Sequence, residues 1–228
     1  APDLAALAAG ARHGNEESST WRPHVVLQAP GVVALHKMSG MPSEELRERL
    51  SALLRASGYA GDVALASRLD APTSGVMPVA LGNAQSGAAW WLHVQFAARQ
   101  VSKEYLCLCA GPSLGPIGSV GEIDKPLLVT EAEGCGPWVV PSPMGKEART
   151  LYEVLEVFPG RGRGGALALL EVRPQTGRRH QIRAHLAAIG RPLLGDDAYG
   201  GTSDAGGVRC PRLFLHCRRV SLVDLAGA

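Results

Sequence analysis

Apolar and polar positions are arranged with two different periods along this chain, and the change of period marks its elements. HVVLQ and VVALH, separated by the turn APG, read as two short strands. PSEELRERLSALLRASG then changes to helical spacing, with Leu46, Leu50, Leu53 and Leu54 on one stripe. Ser43 is the expected cap of that helix, Glu44 and Glu45 suit its positive end, and Gly58 ends it. DVALA and VMPVAL are apolar runs with the character of buried strands. A second helix is expected over about residues 84–99, with Trp91 and Phe96 facing inward and His93 structural or exposed.

KEYLCLCAG places Tyr105, Cys107 and Cys109 on one strand face and Leu106 and Leu108 on the other. Residues 111–147 are rich in Gly, Pro and Glu and predict loops with short strands. ARTLYEVLEVF and ALALLEVRP restore strand pattern around the loop PGRGRGG, a surface loop or a flexible basic finger. QTGRRHQIRAHLAAIG predicts a turn at Thr176–Gly177 and a helix carrying Ile182, Leu186 and Ile189 inward, with Arg179 and Arg183 on a shared face. LFLHCRRVSLVD is a closing strand. The count is strand-heavy, with about three helices and connections short enough for hairpins. This predicts an α+β fold with a mainly antiparallel mixed sheet and flanking helices. An N-terminal extension, 1–23, precedes one domain, 24–228. No internal repeat stands out.

Composition narrows the class. An apolar fraction of 46% with 19% charged residues is that of a globular protein, and no apolar run approaches the roughly 20 residues of a membrane span. The formal charge of +2 does not announce a nucleic-acid binder, but the 23 basic residues are 19 Arg and 4 Lys. Arg forks and stacks where Lys does not. Clusters at Arg178, Arg179 and Arg183, and at Arg209, Arg212, Arg218 and Arg219, suggest a locally basic face. Five scattered cysteines, with no C-x-x-C pair, suit reduced structural thiols in an intracellular protein. The cytoplasm is the first choice of compartment, with organelle or nucleus open.

Candidate chemistry centres on SRLDAPTSG, residues 67–75, between two strand-like runs. Alone, this stretch reads first as an ordinary solvated loop. Tyr105 and the group Thr176, Arg178, His180, Gln181 and Arg183 add a flat aromatic and a set of cations. A carboxylate held by a guanidinium stays ionised, as a nucleophile must. One anion, one cation and one aromatic platform suit chemistry on a planar group attached to a sugar.

On these motifs the chain resembles the RluA-type pseudouridine synthases, which isomerise uridine in RNA. SRLDAPTSGVMPVAL is similar to the family's catalytic loop and strand. KEYLCLCAG resembles its Lys-x-Tyr strand, and EARTLYEVLE its Ala-x-Thr-x-Tyr strand. LLEVRPQTGRRHQIRAHLAAIGRPLLGDDAYGG follows its longest motif, and LFLHCRRV its closing strand. The resemblance covers residues 25 to 220 and implies the pseudouridine synthase fold with a central catalytic cleft. It implies Asp70 as catalytic carboxylate, Tyr105 as base-stacking residue that assists proton handling, and Arg183 as the partner holding Asp70 ionised. Arg68 would enter the RNA stack in place of a flipped uridine. Thr73, Thr176, Arg178, His180 and Gln181 would shape the site or hold RNA, helix-start stabilisation being the other reading of Arg178 and His180.

The resemblance also implies tRNA or rRNA as partner, with no metal or other cofactor, no obligate protein partner, no membrane and a monomeric state. Asp70 could attack C1′ or remove the C2′ proton, and both routes stay open. Two stretches depart from the family: Ser67 stands where a His is usual, and HKMSG, residues 36 to 40, lacks the Pro of the early Asn-Lys-Pro-x-Gly segment. Two rivals follow. One is an RNA-binding relative without turnover. The other is a sugar hydrolase needing a second carboxyl, for which Asp196 and Asp197 are the acidic pair within a matched motif.

Overall fold

The computed structural model describes Leu4 and residues 21–132, 136–159, 166–205 and 208–223. The chain divides into two compact units, residues 1–101 with 220–228, and residues 102–219. Most of the extension 1–23, the PGRGRGG loop from Gly160 on and Cys135 lie outside the described residues.

In the first unit, β1 (His24–Ala29), β2 (Val32–Lys37), α1 (Ser43–Ala56), β3 (Val63–Leu65), β4 (Ser74–Leu81) and α2 (Gly87–Ala97) follow in order. β2 pairs antiparallel with both β1 and β4, and β3 lies antiparallel on β4. Leu46, Leu50 and Leu54 of α1 are buried against Val33, Leu35, Met77 and Val79. Burial of this kind contributes about 2 kcal/mol per leucine. Leu53, on the edge of the stripe, is half-buried. The predicted Ser43 cap is not formed. Its hydroxyl donates to Leu69 O at 2.9 Å and accepts from Leu69 N at 3.1 Å, so it fastens the catalytic-loop candidate to the start of α1. α2 starts later than predicted because Ser86 takes the cap, accepting from Ala89 N at 3.2 Å. His93 is exposed and Trp91 and Phe96 are half-buried.

In the second unit, β5 (Ser102–Gly111), β6 (Val120–Asp124), β7 (Leu127–Ala132), β8 (Gly136–Pro141), β9 (Arg149–Phe158) and β10 (Ala166–Pro174) lead to α3 (Gln181–Ala188). A 3-10 turn at Asp197–Tyr199, the two-residue strands β11 (Asp204–Ala205) and β12 (Val208–Arg209), and β13 (Leu215–Ser221) close it. Its sheet runs β13-β5-β10-β9-β6, with β10 antiparallel to both β5 and β9. β7 and β8 form a separate hairpin, held to α3 by Leu127, Val139 and Ala148 around Ala184.

The strand count and the antiparallel pairing agree with the α+β expectation. Two further sequence-based expectations are altered by the structure. Arg178 and Arg179 precede α3, so Arg179 and Arg183 share no helical face. In the second basic cluster, Arg218 and Arg219 have acidic partners, because Arg218 bridges Glu104 and Glu171 and Arg219 meets Glu104. Among the described residues no helix is long and apolar enough to cross a membrane.

Candidate active site

The first unit carries Arg68, Asp70 and Thr73 on the loop between β3 and β4. A turn closed by Thr73 N donating to Asp70 O at 3.0 Å shapes the loop. Its principal support is Lys37, at the end of β2 and 0% exposed. The Lys37 ammonium donates to Met38 O at 3.0 Å, Met41 O at 2.7 Å and Ala71 O at 3.0 Å. All three of its protons are therefore used to tie the HKMSG segment to the residue after Asp70. Burial pushes the Lys37 pKa down to about 8, while the negative charge of Asp70 acts the other way and favours the ammonium. Ser39 adds a bond to Pro72 O at 2.7 Å. Thr73 is buried, whereas Arg68 is exposed and rests on Glu44 at 3.2 Å. Beside Arg68 lies an open groove of about 480 Å³ lined in part by Glu44, Arg47, Asp62 and Ser67.

The second unit carries the remaining residues. Tyr105, on β5, is 7% exposed, and its hydroxyl is hydrogen-bonded to the Cys217 thiol of β13. Burial pushes that thiol up to about 11, so it stays protonated. Cys107, Cys109 and Cys210 are also buried and unbridged, as the cysteine spacing predicted.

The start of α3 is held by a chain of hydrogen bonds whose direction follows from elementary donor counting. Arg149 N donates to Thr176 Oγ1 at 3.1 Å, and the Thr176 hydroxyl donates to Gln181 Oε1 at 2.7 Å. Gln181 Nε2 donates to Thr150 Oγ1 at 2.9 Å, and Thr150 lies 2.8 Å from His185 Nδ1. His185 Nε2 is 2.9 Å from Lys125 O, which only accepts. Nε2 therefore carries the proton and Nδ1 accepts from Thr150. Burial lowers the His185 pKa, in keeping with a neutral ring. Thr176 and Gln181 are buried and committed to this chain. Their burial, like that of Thr73, fits shaping the site, one of the two roles expected of these residues. Arg178 continues the brace, its Nε donating to Glu147 O at 2.9 Å.

Arg183 is almost fully buried, and its Nε and Nη2 donate to Asp196 Oδ2 at 2.9 Å and Oδ1 at 2.7 Å. Gly195, at φ +75°, makes the turn that presents Asp196, and a side chain there would collide with Arg212 O. The guanidinium carbon lies 4.9 Å from the Tyr199 ring centroid. His180 has a left-handed φ of 49°, which costs a non-glycine residue on the order of 1 kcal/mol. Its Nδ1 is 3.0 Å from the Tyr199 hydroxyl. With both carboxylate oxygens engaged by Arg183, Asp196 serves as an anchor and not as the second acid a hydrolase requires.

Sequence reasoning passed over Lys37, Thr150, His185 and Tyr199 as functional side chains. The signal available for Lys37 was a charged residue ending an apolar strand. For Thr150, His185 and Tyr199 it was a place within the longer motifs.

The model of the RNA pseudouridylate synthase family matches residues 31–188. A dual-specificity RNA pseudouridine synthase RluA of Haemophilus ducreyi is 31% identical over 194 residues, 84% of this chain and 82% of that protein. A ribosomal large subunit pseudouridine synthase D of Nitrosomonas europaea is 35% identical over 87% of this chain. A ribosomal large subunit pseudouridine synthase C of Rickettsia conorii is 30% identical over 88% of it. The chain spans 55% and 63% of those last two relatives. Among solved structures, human RNA pseudouridylate synthase domain containing 1 superposes with a TM-score of 0.70 at 27% identity, covering 90% of this chain and 80% of that one. On the matched family model and on the Haemophilus relative, the chain belongs to the RluA-type RNA pseudouridine synthase family.

Proposed function

We propose that this chain isomerises specific uridines of tRNA or rRNA to pseudouridine, with Asp70 as the catalytic carboxylate. The observation that carries the reading is Asp70 itself. It is half-buried on a loop that a buried ammonium and a serine tie down at Ala71 and Pro72. A reactive group needs such a rigid mount. Relatives whose names specify ribosomal large subunit or tRNA substrates support the substrate class.

The reaction requires the N1–C1′ bond to break and the freed uracil to turn. A C5–C1′ bond then forms, with loss of the C5 proton and gain of one at N1. A carboxylate opens this sequence either by attacking C1′ or by taking the C2′ proton. Tyr105 supplies a ring against the base, and Arg183 supplies a fixed cation. Arg68, exposed beside the groove, is free to leave Glu44, because a surface pair of that kind is worth about 1 kcal/mol or less. It would then fill the stack that the flipped uridine vacates. The protein would act inside the cell, where these RNAs are found.

Incubation with tRNA and with rRNA, followed by carbodiimide mapping of pseudouridine, tests the reading and names the substrate. New pseudouridines at discrete positions in one RNA class are expected. Binding of RNA without any new pseudouridine would instead make the chain an RNA-binding relative.

A further inference from the structure

Trp138 lies on β8, in the Gly/Pro-rich region that sequence pattern reads as loops and short strands. Its ring stacks on Tyr199, with centroids 4.5 Å apart and planes 18° from parallel. Tyr199 in turn has Arg183 over its ring at 4.9 Å and His180 against its hydroxyl at 3.0 Å. The guanidinium is therefore confined twice. Asp196 fixes it in its own plane, and the Tyr199 ring limits how far it can swing. The Tyr199 ring also packs against the cluster of Leu127, Val139, Ala148 and Ala184, and Trp138 adds a stacked aromatic plane to it. The neighbouring Val139 is 1% exposed in the cluster with Ala184 of α3, so two successive residues of β8 seat the hairpin, one on the Asp197–Tyr199 turn and one on α3.

We propose that Trp138 is a positioning residue for Arg183, acting through Tyr199, and that the β7–β8 hairpin is a brace for the site's cation. Offset aromatic stacking restrains a ring in orientation as well as in place, and a cation over a ring face follows that ring. The inference rests on the reading of Arg183 as part of the site. It adds a residue outside the motifs that carry the family resemblance.

The test uses the full chain labelled with ¹⁵N and reads two quantities in Trp138→Ala. The first is the Arg183 Nε–H resonance, assigned by its loss in Arg183→Lys. The second is kcat for uridine isomerisation, together with Kd for the same RNA. The brace predicts that the Arg183 resonance broadens and exchanges faster with water. It also predicts that kcat falls on the order of 10- to 100-fold, the range expected when a reacting group is misplaced by about 1 Å. RNA affinity should stay within about twofold. Trp138→Phe, which keeps a flat ring, should restore most of both, and Trp90→Ala, on the exposed face of α2, should change neither. If Trp138→Ala does not fold, Trp138→Leu takes its place, keeping apolar bulk without the ring.

An unchanged Arg183 resonance overturns the proposal whatever the activity. A parallel loss of RNA affinity also overturns it, since Trp138 would then be an RNA contact. A disturbed resonance in a protein whose unmutated form isomerises nothing upholds the brace and refutes the functional reading instead.

Discussion

The Lys37 ammonium donates a 3.0 Å hydrogen bond to the carbonyl of Ala71, the residue that follows Asp70. Its other two protons go to Met38 and Met41, so one fully buried cation ties the segment after β2 to Ala71, 34 residues beyond the lysine in the chain. A neutral amine has only two protons to give. The junction therefore depends on protonation, and Lys37 is held closer to losing its proton than an ordinary lysine.

Activity should accordingly fall as pH rises through about 8, the value to which burial lowers Lys37. Lys37→Met should lose about tenfold or more in kcat at neutral pH and lack that limb of the profile. Folding stability moves the opposite way. The unfolded chain holds the Lys37 proton up to about 10.5 and the folded chain only to about 8, so the penalty for the buried charge is relieved between those values. A pH–rate profile of both proteins, beside urea midpoints over the same range, checks the two slopes.

Asp196→Ala should remove the carboxylate to which Nε and Nη2 of the buried Arg183 guanidinium donate. Breaking a buried pair from one side costs about 3–5 kcal/mol, more than most single substitutions. Denaturant unfolding should show a loss of that size, and activity should fall with it. Asp197→Ala, at an exposed position beside it, should change stability by less than about 0.5 kcal/mol.

His185 gives an acid-side prediction. Its folded pKa is lowered from 6.5, so the folded protein binds fewer protons than the unfolded chain at mildly acid pH. The stability from this residue is complete above about 6.5 and is lost as pH falls toward the folded value. Protonation would put a second donor opposite the Thr150 hydroxyl and break the chain of hydrogen bonds at that point. Thermal melts from pH 7.5 down to 5 should show the decline, and a melting temperature flat over that range would contradict it.

Arg68→Ala should leave stability nearly unchanged, because the pair with Glu44 is exposed. It should nevertheless slow isomerisation of structured RNA far more than of an RNA whose target uridine is already unstacked. Comparing the two substrates separates help with flipping from help with chemistry.

Much of this arrangement was legible in the residues. Alternation located the strands, and the leucine stripe of α1 faces the core as its spacing requires. What pattern could not supply was the partner of each polar side chain. Ser43 looked like a helix cap because local spacing favours one, but Leu69, 26 residues away, offered both a donor and an acceptor. Spacing in α3 assigns Ile182, Leu186 and Ile189 to the inside, yet Gln181, Arg183 and His185 are buried too. Their partners Thr150, Asp196 and Lys125 come from distant strands and turns. Lys37 stood inside a segment visible only as a departure from the family pattern. Trp138 lay in a region whose Gly and Pro content conceals a hairpin. Asp70 was legible because it sits in a motif, whereas the groups that hold it were not.

Asp70 is the group on which the proposed isomerisation depends. Tritium released from RNA labelled at uridine C5, measured for the unmutated protein and for Asp70→Asn beside RNA affinity, tests that most directly. Release by the unmutated protein, none by Asp70→Asn, and affinities within a few-fold of each other are expected. Release that persists in Asp70→Asn would mean that a group other than this carboxylate carries the reaction.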